Sequence, residues 1–452
     1  MAREYKHSGI EWIGEIPKEW RVELIGNNIK EIKDKNEDSS EDNALQFKMG
    51  TIISKKGGDS KYNPESLAAY TMVQEGDIVI NGLNLSFDFI SQRVGLVREK
   101  GVITSTYLTL RPSSLLYSDF VNYLFKAYDN CKAFHGMGRG LRQILSYREL
   151  RNQKLIYPSL KEQQKIANYL DKVCGEVDEM IALQEQMIEE LKAYKQSVIT
   201  EAVTKGLNPD VPMKDSASRE QNHACMNYAE AQPVFERKFK DSGIDWIGEV
   251  PEGWKVKPLK WILRKPLQYG ANESGLSFNE SLPRYVRITD ILNNDLREDL
   301  QKQSLSEEQA EGYILEDNDI LFARSGGTVG KAFIYKLKYG RCAFAGYLIR
   351  AQIDDNNNSD YIYYFTQSSS YEEWKRQIFI QATIQNIGAD RYSLLEIPLP
   401  PLSEQQTIAS YLDTKCAEID ALIAIKQAKI EELKEYKKSI IYEYVTGKKE
   451  IA

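Results

Sequence analysis

The apolar residues of this 452-residue chain fall into two regimes. In two stretches they recur every seven residues. The first runs Leu170, Val177, Gln184, Leu191, Val198, with a companion row Cys174, Ile181, Ile188. The second runs Leu412, Ile419, Lys426, Leu433, Ile440, with Cys416, Ile423, Ile430 beside it. Sustained heptads predict long helices with a coiled-coil seam. Pro158 and Pro401 precede them, and Gly206 and Gly447 follow, as start and stop signals. Each helix should run roughly 40 residues, about 60 Å at 1.5 Å per residue. Gln184 and Lys426 fall in one equivalent layer of the two seams. A polar layer either fixes register or marks a place where the seam opens to water.

Elsewhere the pattern is that of mixed α/β globules. Short apolar runs predict strands at Asp77–Ile80 and Val102–Leu110, then at Asp319–Phe322 and Cys342–Ile349. A helix follows each set, at Asp119–Tyr128 and Asp360–Gln377, and each globule closes on a strand ending at proline, Leu155–Pro158 and Glu396–Pro400.

This parallel order reflects a duplication. Ser8-Gly-Ile-Glu-Trp-Ile-Gly-Glu-Ile-Pro17 recurs as Ser242-Gly-Ile-Asp-Trp-Ile-Gly-Glu-Val-Pro251, at an offset of 234. Glu162-Gln-Gln-Lys-Ile-Ala-Asn-Tyr-Leu-Asp171 recurs as Glu404-Gln-Gln-Thr-Ile-Ala-Ser-Tyr-Leu-Asp413, at an offset of 242 that holds without a gap through Glu431-Glu-Leu-Lys434. Two ordered matches of this length give a chain built as head, long helix, head, long helix. The expected fold class is therefore mixed α/β. Two α/β heads are separated by two long helices that pack on each other as an antiparallel coiled coil, with a pseudo-twofold internal duplication.

Composition adds little. Hydrophobic residues are 42% and charged residues 28% of the chain, ordinary for a soluble globular protein. No apolar run has the roughly 18 residues of a membrane span, and Met1–Gly9 carries no signal-peptide pattern. The five cysteines, Cys131, Cys174, Cys225, Cys342 and Cys416, show no C-x-x-C spacing and suit reduced thiols in the cytoplasm. A net charge of −7 argues mildly against a polyanionic partner. The charge is uneven, however. Lys132, Arg139, Arg142, Arg148, Arg151 and Lys154 share a stretch whose only acid is Glu149.

No catalytic constellation emerges. The chain lacks an Asn/Asp-Pro-Pro-Tyr motif for an adenine methyltransferase. Ser325-Gly-Gly-Thr-Val-Gly-Lys331 resembles a phosphate loop but is one residue short between its glycines and continues into Ala332, where Ser or Thr is required. A tight glycine turn between strands is the plainer reading; a loop approaching DNA phosphate, with Arg324 and Lys331 beside it, is the other. The three histidines, His7, His135 and His223, have no metal-ligand spacing, so no metal site is expected.

The paired Trp and Gln-Gln blocks, with Pro398-Leu-Pro-Pro-Leu-Ser-Glu-Gln-Gln-Thr-Ile-Ala409, its echo Tyr157-Pro-Ser-Leu-Lys-Glu-Gln-Gln-Lys-Ile-Ala167, Ala382-Thr-Ile-Gln-Asn-Ile387 and Gly206-Leu-Asn-Pro-Asp-Val-Pro-Met213, resemble the specificity subunits of Type I restriction-modification systems over nearly the whole chain. The resemblance implies two target-recognition domains, 1–158 and 242–400, each reading half of a bipartite duplex DNA target. It implies two conserved long helices, 159–206 and 401–452, that space the domains and dock two methyltransferase subunits, restriction/translocase subunits joining later. The chain itself then transfers no methyl group and cuts no DNA. S-adenosylmethionine, ATP and Mg belong to the partners, and no cofactor is bound here. The segment 207–241 departs from the pattern. Lys214-Asp-Ser216 begins a Trp motif that only Lys240-Asp-Ser242 continues, and the polar residues between, His223 and Cys225 among them, read as a linker.

Base reading needs side chains that pair bidentately with base edges. In the first head the best stretch is Gly136–Gln143, where glycines admit close backbone approach and Arg139, Arg142 and Gln143 supply donors. In the second head the corresponding place holds Gln381, Thr383, Gln385 and Asn386. Lys132, Arg148, Arg151 and Arg391 suit phosphate, or simply solvate neighbouring helices. A coiled-coil scaffold that pairs two proteins without DNA is the alternative function.

Overall fold

The computed structural model describes residues 3–55, 67–138, 143–207, 237–292, 295–380 and 386–451. It forms two compact units. Unit 1 is Met1–Gln186 with Lys426–Ala452, and unit 2 is Met187–Ile425. Each holds one head and one half of each long helix, Leu160–Lys205 and Leu402–Val445.

Unit 1 is organised by an antiparallel sheet of β1 (Ile29–Glu31), β2 (Ile78–Ile80), β3 (Val94–Leu96) and β4 (Leu108–Pro112), in the order β1-β4-β2-β3. The Ile-Val-Ile run of β2 is wholly buried, which suits β-branched residues in a central strand. Helix α1 (Ser118–Asn130) buries Phe120, Val121, Leu124, Phe125 and Tyr128 against this sheet's core. Buried Asp77 enters β2 and accepts two 2.7 Å hydrogen bonds from Arg111 of β4. A buried carboxylate needs such a paired donor. The apolar stretch Val102–Leu110 holds two strands, Gly101–Ile103 and β4, because the chain turns between Thr104 and Tyr107.

Unit 2 repeats the plan. Its sheet joins β5 (Gln268–Tyr269), β6 (Ile320–Ala323), β7 (Ala332–Ile334) and β8 (Leu348–Ala351), in the order β5-β8-β6-β7. Buried Asp319 enters β6 and accepts from Gln352 at 3.1 Å, with Arg350 of β8 at 3.6 Å. Burial pushes the Asp319 carboxyl up, against the pull of the Glu316 main-chain N–H. A second four-stranded sheet (Leu276–Ser277, Arg284–Val286, Gln303–Ser304, Cys342–Phe344) is added. Cys342–Ile349 is split by a turn at Ala345, where Leu348 N–H bonds Ala345 O at 2.8 Å. The expected helix Asp360–Gln377 is also two, α2 (Ser359–Phe365) and α3 (Ser369–Ile380). Thr366 and Ser368 hydroxyls donate to Tyr363 and Phe365 carbonyls, and the Ser368 hydroxyl accepts from Tyr371 N–H. Local side-chain bonds of this kind compete with the helical ladder.

The duplicated motifs meet inside each unit. Trp20 Nε1 donates to Glu162 at 3.2 Å, and Trp254 Nε1 donates to Glu404 at 3.2 Å. Arg3 joins Glu162 at 2.7 Å, and Arg237 joins Glu404 at 2.6 Å. Buried Gln163 accepts from Tyr117 N–H and donates to Leu115 and Pro158 carbonyls; buried Gln405 accepts from Asn358 N–H and donates to Pro400 O and Asn357. Tyr123 donates to Asp171 at 2.8 Å and Tyr364 to Asp413 at 2.7 Å; burial, then these bonds, push both phenols far up.

Each core is completed by a helix tail. Ile440, Ile441, Tyr444 and Val445 join the core of the first head. Ile199, Ala202 and Val203 join that of the second. Gly206 and Gly447 end the helices at φ +77° and +72°, a left-handed position that glycine takes without strain. Of the heptad positions, Leu170, Cys174, Val177, Ile188, Leu412, Cys416, Ile419, Ile430, Leu433 and Ile440 are buried. Ile181, Leu191, Val198 and Ile423 are half-buried, as are Gln184 and Lys426. The Gln184 Oε1 is buried and has no hydrogen-bond partner among the described residues. In unit 1 the half-helices run antiparallel, with Tyr169 against Tyr444 and Asp178 bound to Lys437 at 2.6 Å. In unit 2 Lys195 binds Asp420 at 2.7 Å, the same pair displaced by 242 residues with the helices exchanged. Among the described residues no helix is long and apolar enough to cross a membrane.

Candidate nucleic-acid interface

The connection between the third and fourth strands in each sheet order meets the segment that precedes the closing strand. In the second head this connection is the turn from β6 to β7. Ala323 and Lys331 pair across it at 2.8 Å, and Gly326 and Gly330 carry positive φ. The phosphate-loop-like sequence is thus a glycine turn between strands. Arg324 O accepts from Ile387 N–H at 2.9 Å, and Ser325 forms a bridge with Asn386. The Arg324 guanidinium lies 5.1 Å over the Tyr269 ring, and the Arg324 main-chain N–H donates to Tyr347 O. Tyr347 is 61% exposed. Arg324, Asn386, Tyr269 and Tyr347 are therefore one cluster, and Lys331 stands exposed at the foot of the turn. A guanidinium parked on an aromatic face is half-desolvated and oriented, ready for a planar acceptor. Gln381, Thr383 and Gln385 lie outside the described residues.

In the first head the connection from β2 to β3 is a long loop, residues 81–93. It meets the same kind of segment: Leu85 N–H donates to Gln143 O at 3.2 Å and Leu145 N–H to Gly82 O at 2.9 Å. A side chain at Gly82 would come 2.8 Å from Leu145 O, so this approach needs glycine. Gln143 is exposed at φ +41°. Arg139 and Arg142 lie outside the described residues. Lys132 is half-buried at φ +58°, and Arg148 is exposed on the short helix Tyr147–Leu150. Arg148 lines a cleft of about 900 Å³ with Trp12, Tyr128, Met137 and Lys154. Arg151 lies 5.9 Å over the Tyr147 ring and Lys154 donates to Gly9 O, and both residues are exposed. Arg391 is exposed on Ala389–Ser393.

Sequence reasoning missed the loop 81–93. Its anchor is Arg93, 1% exposed, whose Nη1 donates to Asn81 and Leu83 carbonyls and whose Nη2 donates to Asp88 O. The main-chain N–H of Ser91, then its hydroxyl and Ile90 N–H, hold the Asp88 carboxyl down at about 2, with burial opposing. Asp129, which accepts from Arg93 N–H at 2.8 Å, is pushed up by burial. Nothing in the period of the apolar residues signals such a loop. Tyr269 and Tyr347 were missed too, since neither belongs to a motif.

The sequence profile of the family described as Type I restriction modification DNA specificity domain matches residues 29–193 and 251–435. The chain is 24% identical over 454 residues to the Type I restriction enzyme MjaVIII specificity subunit of Methanocaldococcus jannaschii, covering 96% of this chain and 93% of that one. It is 28% identical over 210 residues to the Type I restriction enzyme EcoKI specificity subunit of Escherichia coli K12, covering 44% of each. A solved chain, described under the structural basis of complex assembly and conformational transition of the type I R-M system, shares the fold with a TM-score of 0.66 at 15% identity, over 96% of this chain and 99% of that one. Two profile matches, one per head and adjoining helix, place this chain in the family of Type I restriction-modification DNA specificity subunits.

Proposed function

We propose that each head reads one half of a bipartite duplex target, and that the chain serves as the specificity subunit of a cytoplasmic Type I restriction-modification complex while catalysing no step itself. The observation that carries this is the matched placement of unlike loops. Identical sheet orders present, at the same connection, a cluster of Arg324, Asn386 and Tyr347 in one head and the 81–93 loop with Gln143 in the other. A shared scaffold with different loops suits two different half-sites.

The long helices pair as an antiparallel coiled coil with pseudo-twofold symmetry. The Asp178–Lys437 and Asp420–Lys195 ion pairs, exchanged under the 242-residue offset, support this. Three pairs of exposed apolar residues of the helices also repeat at that offset: Met180 with Leu422, Leu183 with Ile425, Tyr194 with Tyr436. Two like patches suit two copies of one partner, the methyltransferase subunit. S-adenosylmethionine, ATP and Mg would then be held by methyltransferase and restriction subunits.

The experiment is to assemble the chain with its methyltransferase subunits, map methylated adenines in host DNA, and measure binding to that sequence. Site-specific binding of a two-part target is expected. An assembled complex that retards no DNA would leave a protein-pairing scaffold in its place.

A further inference from the structure

The loop 81–93 displays three apolar side chains. Ile90 is 88%, Phe87 78% and Phe89 54% exposed. Single exposed apolar residues are common, but three on one loop tip are a patch. The loop that carries this tip is held by its own hydrogen bonds. The Arg93 guanidinium holds three loop carbonyls at 2.7–3.0 Å. The Asp88 carboxylate accepts from Ile90 and Ser91 N–H at 3.1 and 2.9 Å. The His135 ring stacks on Phe89, centroids 4.7 Å apart, and its Nε2 donates to Asp88 O at 3.0 Å. Burying a guanidinium to order a surface loop is costly, so the ordered tip demands a use.

Phe87 and Ile90 have no donor or acceptor and cannot read a base edge. Their chemistry is that of an apolar wedge, which inserts between neighbouring base pairs and kinks the duplex. Charge favours DNA as the occupant. The segment 131–154, which supplies His135 and Gln143 to the loop, carries six lysines and arginines against one glutamate. Continuity favours it as well, because the loop is bonded directly to the Gln143 segment of the candidate interface. A protein partner would need about 800 Å² on this side, far more than three side chains offer.

We propose that Phe87 and Ile90 form a wedge that enters the base stack of the half-site bound by the first head, with Arg93 and His135 holding it in position. The proposal rests on the DNA-reading function above. It also makes the two half-sites unequal, since the turn from β6 to β7 has no exposed apolar tip and Val329 packs against the core.

The test uses the complete complex and the target duplex identified by methylation mapping. 2-Aminopurine replaces purines one at a time, outside the methylated adenines, in both half-sites. The expected result is a severalfold fluorescence rise at one step of one half-site. Phe87→Ala with Ile90→Ala should abolish the rise and weaken binding about tenfold, with thermal unfolding unchanged, while Phe87→Trp should keep the rise. A rise that persists in the double variant overturns the wedge, as does specific binding with no rise at any position. Loss of the methyltransferase subunit from the double variant on gel filtration would assign the tip to protein docking instead. Failure of the unaltered complex to bind the mapped sequence would sink the DNA-reading function itself, which distinguishes that failure from failure of the wedge.

Discussion

The two heads share a frame and differ in one connection. In both, a buried acid enters the third strand of the sheet order, a Trp–Glu pair ties the head to its helix, and a buried glutamine in the helix's first turn bonds main-chain groups of the head. Where the frame ends, the first head builds a 13-residue loop on a buried arginine, and the second makes a glycine turn with its arginine laid on tyrosine. Conserved energetics beneath divergent loops is how one fold carries two specificities.

The sharpest way to break this comparison is at the shared glutamines. Gln163→Leu strands three main-chain groups, Gln405→Leu two together with the Asn357 side-chain carbonyl, and each should cost about 2–4 kcal/mol. Chemical denaturation midpoints should fall alike for both; markedly unequal losses would mean that the repeated contacts do not have repeated energetics. The arginines should then separate the heads. Arg93→Met should destabilise by about 2–3 kcal/mol, because three carbonyls lose their donor. Arg324→Ala should change stability by about 1 kcal/mol or less, yet weaken target binding about tenfold and relax one position of the half-site. A calorimetric scan beside a binding titration checks both.

In the long helices, Gln184→Leu with Lys426→Leu should raise stability by about 1 kcal/mol, since the Gln184 carbonyl has no hydrogen-bond partner among the described residues, and should permit mispaired assemblies. An unchanged melting point and assembly state would reduce the polar layer to a solvated gap. Arg148→Ala should lower the salt slope of binding by about 0.9 if that side chain meets phosphate. The smallest effect belongs to the helix ion pairs. Asp178→Asn and Asp420→Asn should each cost below about 0.5 kcal/mol and match each other, as expected for largely exposed pairs.

Much of this molecule is written in its sequence. Heptads, prolines and glycines set both long helices, because helix period and stop signals are local properties. Repeated blocks set the duplication, and apolar runs located the inner strands β2, β4, β6 and β8 but not the edge strands β1, β3, β5 and β7. Where the reading failed, a local competition decided. Hydroxyl bonds at Thr366 and Ser368 broke a helix that periodicity would have continued. Of the DNA-contact candidates chosen from sequence, Arg324, named for phosphate, and Asn386, named for base reading, come together, because a β-bridge between Ser325 and Asn386 joins segments 61 positions apart. Only tertiary structure could decide that the tail of the second long helix completes the core of the first head, since that contact spans the chain. It alone decided that Arg93 is buried and Phe87 exposed, the reverse of what their polarity suggests. Burial follows from which carbonyls need a donor once the loop has closed, and no period in the sequence carries that information.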